Sequence, residues 1–301
     1  MQDRQQHIEQ ILKEITTTLL YEGYALYPYR SSALKNKTPI PFGLIYPQQY
    51  ARHNKYLNSN SQTECLLRAS ADAKLDITVR FLQLANVDDE WQATEREVKS
   101  ETFFLKELLT HTKNISFTFP SDDLKLFSEI RGNVTMSVPA ALEEQETFLL
   151  QVCVTNSTLV SDCISSHDIL HYTFVSAHTI LKLESGEFVS MQDPETRYKE
   201  LVGQCNNLHT YPVLIDRKKS TMLSSPIILY DYPEINLDSK GDLFDGTEME
   251  EALWLHLNVL TENEKYEIAR GNKGIRSLLD KADAMSPAEL IKLHDQLKRV
   301  D

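Results

Sequence analysis

The chain has 301 residues, with 31 Lys and Arg against 44 Asp and Glu, for a net charge of −13. A hydrophobic share of 41% and a charged share of 25% are those of a chain that folds around a core, long enough for one large domain or two ordinary ones. The acid excess argues against a nucleic-acid contact surface, which rests on clustered Lys and Arg, and against an anionic membrane surface.

No apolar run approaches the about 20 residues of a membrane span. The opening M-Q-D-R-Q-Q-H-I-E-Q lacks the basic start and apolar core of a secretory signal, so the sequence predicts a cytoplasmic protein. Cys65, Cys153, Cys163 and Cys205 stand far apart with no C-x-x-C, which predicts reduced, structural thiols.

Residues 2–20 read as an amphipathic helix, with Ile8, Ile11, Leu12, Ile15 and Leu19 at helical spacing and Gly23 beyond its end. Tyr21, Tyr24, Tyr27 and Tyr29 then crowd close to Arg30, Lys35 and Lys37. The plainer reading is a buried aromatic segment whose hydroxyls find partners. The sharper one is a recognition surface, because Tyr and Arg are enriched at binding hot spots. Residues 52–63 are polar without periodicity and read as a loop.

From about 64 to 192 the period changes to two. Ile77, Val79 and Phe81; Ile115, Phe117 and Phe119; Val134, Met136 and Val138; Phe148, Leu150, Val152 and Val154; and Tyr172, Phe174 and Ser176 each alternate with other residues. Turn signals are read at Arg131-Gly132-Asn133 and Ser185-Gly186-Glu187. The pattern predicts an α+β fold built on a central antiparallel β-sandwich, immunoglobulin-like, with an N-terminal helix and a C-terminal helical tail. Val98–His111 also fits a helix, Asp193–Val202 opens as a short helix, and Tyr211–Ile215 reads as a strand that Ile227–Tyr230 could join. The domain reading is 1–63, an N-terminal helix and Tyr-rich segment; 64–235, the sandwich; and 236–301, an acidic connector and helical tail.

Ser224–Glu251 carries Asp231, Glu234, Asp238, Asp242, Asp245, Glu248, Glu250 and Glu251 against Lys240 alone, with Ile227, Ile228, Leu229, Ile235, Leu243 and Phe244 interleaved. Asp231, Glu234, Asp242 and Asp245 are candidate ligands for a hard cation, although D-S-K-G-D-L-F-D-G lacks EF-hand spacing. A solvated loop whose last acids favour a helix N-terminus is the plainer reading. A docking reading lies between, in which Tyr230, Tyr232, Ile235 and Phe244 contact a partner and the acids form a rim. The tail has capping boxes at Thr247–Glu250, Thr261–Glu264 and Ser286–Glu289.

Cys163, His167 and His171 would share a face if 161–171 were helical and would suit zinc, iron or nickel, but no fourth ligand is evident. No G-x-S-x-G, Gly-rich phosphate loop or H-E-x-x-H occurs, so no nucleophile with its base is visible, no catalytic residue is named and no cofactor is expected. Ser224-Ser225-Pro226 reads as a turn. Only Trp91 and Trp254 are available for sugar stacking, which disfavours a carbohydrate module.

The segments L-Y-P-Y-R-S-S-A-L-K-N (26–36), V-R-F-L-Q-L (79–84), S-A-H-T-I-L (176–181), G-E-F-V-S-M (186–191), M-L-S-S-P-I-I-L-Y-D-Y-P-E-I (222–235) and G-D-L-F-D-G-T-E-M-E-E (241–251) resemble those of an uncharacterised bacterial family. That family is encoded in gene clusters for high-affinity, oxygen-tolerant uptake NiFe-hydrogenases, and the resemblance spans about 21–300. It implies a process, hydrogenase assembly or support, and carries no catalytic residue with it. The expected protein is therefore a non-enzymatic accessory protein whose partner is a hydrogenase subunit or maturation factor. Its contact residues are Tyr27, Tyr29, Arg30, Lys35, Tyr230, Asp231, Tyr232, Glu234 and Phe244. A metal-binding protein or metal-dependent enzyme using the acidic stretch 231–248 is the alternative.

Overall fold

A computed structural model describes residues 12, 13, 15–17, 20, 43–52, 54–87, 90–122, 126–139 and 146–233. The chain divides into two compact units, one of Met1–Ile8, Pro41–Asn86 and Ala93–Pro233, the other of Glu9–Ile40, Val87–Gln92 and Glu234–Asp301. In the second unit the described residues between 12 and 20 are helical, with Leu12, Ile15, Thr16 and Leu20 buried, as the periodicity of the segment predicts.

The first unit is β-rich with short helices, an α+β fold. Its strands are β1 (Asn60–Val87) and β2 (Glu90–Lys99), whose adjoining ends Val87 and Glu90–Gln92 are counted with the second unit, then β3 (Phe103–Phe104), β4 (Lys113–Phe119), β5 (Ile130–Ser137), β6 (Thr147–Asn156), β7 (Val175–Phe188), β8 (Tyr211–Leu214) and β9 (Thr221–Ser225). Its α-helices are α1 (Gln48–Ala51), α2 (Leu105–Thr110) and α3 (Lys199–Gln204). The strands form one sheet in the order β4-β5-β6-β1-β7-β9-β8, with β2 and β3 also on β1, and every described register is antiparallel.

The 28-residue β1 holds this sheet together. Its first part pairs with β6 from Asn60↔Thr155 to Arg68↔Thr147, and its later part pairs with β7 from Leu67↔Phe188 to Leu82↔Val175. Two irregularities bend it. Ala69↔Gly186 jumps to Lys74↔Glu184, and Arg80↔His178 jumps to Leu82↔Val175. At each, β7 carries a left-handed residue, Ser185 at φ 67° and Ser176 at φ 53°.

Period-two alternation sends one set of side chains inward. Cys65, Leu67, Leu75, Ile77, Val79 and Phe81 of β1 share a core with Val134 and Met136 of β5, Leu150, Val152 and Val154 of β6, and Leu181 and Leu183 of β7. Burial of each such aliphatic side chain contributes about 1.5–3 kcal/mol. Phe81 stacks on Phe174 at 4.3 Å between centroids and meets Phe119 edge-on at 6.0 Å, while Phe117 lies 5.7 Å from Phe174. A smaller cluster covers the other face, where Leu66, Val189 and Tyr198 meet Leu201, Val202 and Cys205.

Several local expectations are corrected. Arg131-Gly132-Asn133 is no turn but lies inside β5, opposite Thr118, Phe117 and Ser116. Glycine is needed there for space, since a Cβ would sit 2.3 Å from the Phe117 ring. Ser185-Gly186-Glu187 is no turn but lies within β7, opposite the extra residues that β1 carries between Ala69 and Lys74, and a Cβ on Gly186 would lie 2.6 Å from that of Ala69. The polar loop ends at Ser59, because β1 begins at Asn60. Residues 98–111 divide between the end of β2, the two residues of β3 and α2, which accounts for their mixed spacing. The strand expected at 172–176 starts only at Val175, because Asp168–Tyr172 is a 3-10 helix. The helical turn expected from Asp193 begins at Thr196. Residues 227–230 are not a strand; β9, just before them, is the partner of β8.

Candidate interaction surface at the β8 edge

Among the described residues β8 is a terminal strand of the sheet, and its outer edge is closed by chemistry rather than by another strand. Pro212 brings no N–H to that edge, the placement for proline in an edge strand. The Leu214 N–H donates to Asp231 Oδ1 at 2.8 Å, and the Leu214 carbonyl accepts from Tyr232 N at 2.6 Å. The other carboxylate oxygen, Asp231 Oδ2, accepts from the buried Ser190 hydroxyl at 2.5 Å. Asp231 N donates to Gln192 Oε1 at 3.0 Å, and Gln192 Nε2 donates to the Leu229 carbonyl. Residues 226–233 therefore form a strap, fixed at Asp231 to both β8 and the loop after β7.

The strap turns sharply. Tyr232 adopts φ 58°, and the Arg217 guanidinium lies 4.3 Å from the centre of its ring. Partial burial, then the Asp231 charge, raise the Tyr232 hydroxyl pKa above its ordinary value, with Arg217 opposing. At its start, Pro226 packs against Gly43, where a Cβ would approach the proline to 2.5 Å. Between these anchors Ile228 is 71% exposed and Tyr230 is 83% exposed, and Tyr211 at the start of β8 is 45% exposed. Anchored backbone with outward apolar side chains is the arrangement a binding loop needs.

Of the contact residues read from the sequence, the structure brings together Tyr230, Asp231 and Tyr232, and divides their roles. Tyr230 faces outward. Asp231 is committed through both oxygens to internal partners, and Tyr232 is half-buried under Arg217. Tyr27, Tyr29, Arg30, Lys35, Glu234 and Phe244, and the metal candidates Glu234, Asp242 and Asp245, lie outside the described residues, as does the tail of capping boxes.

The sulfur–imidazole set is corrected. Residues 161–171 are not one helix: Cys163 stands in a turn, exposed, and His167 precedes the 3-10 helix that contains His171. Among the described residues no group of three or more His, Cys, Asp or Glu is placed to hold a metal ion. His167 instead contacts Asp168 at 3.5 Å, and half-burial lowers the His171 pKa.

Other polar clusters are closed upon themselves. Ser224 lies within β9 rather than in a turn, and its hydroxyl contacts those of Thr63 at 2.6 Å and Thr210 at 2.8 Å, all buried. No base stands beside it in this network. Glu64, buried on β1, accepts from Gln151 Nε2 and Asn206 N, both at 2.7 Å, and ties the 205–208 loop to the sheet. Burial pushes the Cys65 thiol well up and the Cys205 thiol to about 11, so neither is poised as a nucleophile. Sequence reasoning missed Pro212, Ser190, Gln192 and Arg217. Only Pro212 carried a usable signal, because proline within a strand-like run marks an edge.

A comparison with protein-family models finds no match for the chain, and a comparison with curated proteins finds none either.

Proposed function

We propose that this chain is a non-enzymatic accessory protein that works through protein–protein contacts, and that its partner is a subunit or maturation factor of a NiFe-hydrogenase system. The strap at 226–233 supplies the contact, with Ile228 and Tyr230 as its apolar anchors and the β-rich unit as a rigid support. What carries the reading is the exposure of Tyr230, at 83%, directly beside the half-buried clamp of Asp231. The hydrogenase assignment rests on the segment resemblance, of which 222–235 is the part that falls on the strap. The sheet is read here as a sandwich-like scaffold that folds β4 over β1, supported by the contacts of Phe117 and Phe119 with Phe81. A cytoplasmic location fits this reading, and among the described residues no helix is long and apolar enough to cross a membrane.

The test is affinity capture with the tagged chain from a cell that makes the hydrogenase, in parallel with an Ile228→Asp/Tyr230→Ala variant. Recovery of a hydrogenase subunit or maturation factor by the unsubstituted chain, and its loss with the variant, is the expected outcome. Failure to recover any such protein sinks the assignment, and equal recovery by the variant removes the strap as the contact.

A further inference from the structure

Among the described residues the sheet has a second terminal strand, β4, at the end remote from the strap. The direction of its backbone groups follows from its neighbour. Arg131 N donates to Thr158 Oγ1 at 2.9 Å, and the Arg131 carbonyl accepts from Ser157 N at 3.0 Å, so Arg131 faces the β6 side and Gly132 faces β4. Phe117 stands opposite Gly132, and Ile115 and Phe119 keep its phase, so these three bond to β5. The N–H and carbonyl groups of Asn114, Ser116 and Thr118 therefore point away from the sheet, and they have no hydrogen-bond partner among the described residues.

Two further observations bear on what covers this edge. On the core side of β4, Ile115, Phe117 and Phe119 are only half-buried, whereas Val134, Gly132 and Ile130 opposite them on β5 are fully buried. The core is left open along the outer margin of β4. The strand also lacks the devices that keep an edge from pairing: Asn114–Phe119 contains no charge, proline or glycine. Its outward side chains hold it to β5 instead, Ser116 bonding Asn133 Oδ1 and Thr135 donating to Asn114 Oδ1, both at 2.6 Å. A chain that guards β8 with proline, a carboxylate and a strap leaves β4 in a form fit for pairing.

We propose that β4 is a dimerisation edge, taken up by β4 of a second copy of this chain running antiparallel about a two-fold axis at Ser116. The edge is complementary to itself in this register. Ser116 meets the partner's Ser116 and Asn114 meets the partner's Thr118, each pair exchanging both of its backbone hydrogen bonds. On the core side Ile115 meets the partner's Phe117, an aliphatic–aromatic pair of the stabilising kind. No like charges meet between Asn114 and Phe119. Polar side chains thus face polar ones, apolar face apolar, every outward backbone group of the three residues finds a partner, and the half-open core is covered. A seam this short makes a weak, reversible dimer rather than an obligate one.

Sedimentation velocity of the full chain over a concentration series tests this, and a reversible monomer–dimer equilibrium is expected. Ser116→Pro removes the outward N–H at the axis and spares the bonds of Ile115, Phe117 and Phe119 to β5, so it should raise the dimer dissociation constant about tenfold or more. Ser116→Ala loses only the side-chain bond to Asn133 and should dimerise as the parent does. Cross-linking reads the register without relying on the proline variant. With the exposed Cys163 replaced by serine, Ser116→Cys should give a disulfide-linked dimer under mild oxidation, because the Cα atoms of such a facing pair lie about 5.5 Å apart. Thr118→Cys should not, since the two copies of that position are about 14 Å apart along the seam, at about 3.4 Å per residue. A parent that stays monomeric, undiminished dimerisation of Ser116→Pro, or equal cross-linking at the two positions would each overturn the proposal. A monomeric parent whose Asn114, Ser116 and Thr118 amides resist hydrogen exchange would assign the edge to a segment of the same chain instead.

Discussion

His178 shows how one residue couples the fold to pH. It is 2% exposed on β7, opposite Arg80, and the bulge at Ser176 turns that residue's carbonyl onto the ring. A carbonyl only accepts, so Nδ1 carries the proton and Nε2 is left as a buried acceptor without a partner. Burial, opposed by the Ser176 carbonyl and reinforced by Arg80, depresses the imidazolium pKa from 6.5 to about 4. The unfolded chain takes up this proton near pH 6.5 and the folded one only near 4, so stability is full above the first value and falls as pH drops towards the second. The difference is on the order of 3 kcal/mol at 1.36 kcal/mol per pH unit. Urea midpoints measured from pH 7 to pH 4.5 should fall in the parent and fall less in His178→Gln; parallel curves would refute the assignment. Gly132 makes a second prediction at this scale. Gly132→Ala forces a methyl into the Phe117 and Phe174 rings and should lower stability by about 1–3 kcal/mol, as overpacking does. An unchanged denaturation midpoint would mean that the rings give way.

At the scale of elements, the strap acts as a guard for an exposed strand. An unprotected edge is a template for pairing with another chain, and proteins blunt such edges with proline, charge or cover. β8 uses all three, through Pro212, the Asp231 carboxylate and the strap backbone. Asp231→Ala should lower stability by about 1–3 kcal/mol, because the Leu214 N–H and the Ser190 hydroxyl lose their acceptor. Adding Pro212→Ala restores a donor to the opened edge, so the double variant should sediment as larger species than the parent at equal concentration. Unaltered sedimentation would show that the edge needs no guard. Tyr230→Ala, by contrast, should leave stability within about 0.5 kcal/mol, as expected for a side chain that touches solvent.

For the molecule as a whole, the strands of the first unit were legible because their alternation is strong: β4, β5 and β6 lie where Ile115–Phe119, Val134–Val138 and Phe148–Val154 place them. The length of β1 was not legible, since Thr63–Leu67 is buried on both faces, Cys65 towards one cluster and Leu66 towards the other, and alternation is lost there. The supposed turns at 131–133 and 185–187 failed for one reason, that glycine was wanted for close packing rather than for reversal. Of the candidate site, the sequence marked Tyr230 to Tyr232 as a unit but could not separate the outward tyrosine from the clamping aspartate. That separation comes from Ser190 and Leu214, which are remote in sequence. Hydrogen exchange offers a test of this architecture. Amides of β1 from Leu75 to Val79 should exchange only through global unfolding, whereas those of Ile228 and Tyr230 should exchange through local opening. Comparable protection at the two places would contradict a central spine with an applied strap.

The long spine also sets a timetable for synthesis. Lys74 and Glu184 are partners across 110 residues, so the middle of β1 leaves the ribosome long before β7 exists to receive it. During that interval Leu75, Ile77, Val79 and Phe81 have only the neighbouring β2 and β3 to pair with, and the distant pairing with β7 closes slowly. The nascent chain therefore carries one edge of β1 open until β7 is made, and closure of the sheet waits on the last third of the described chain.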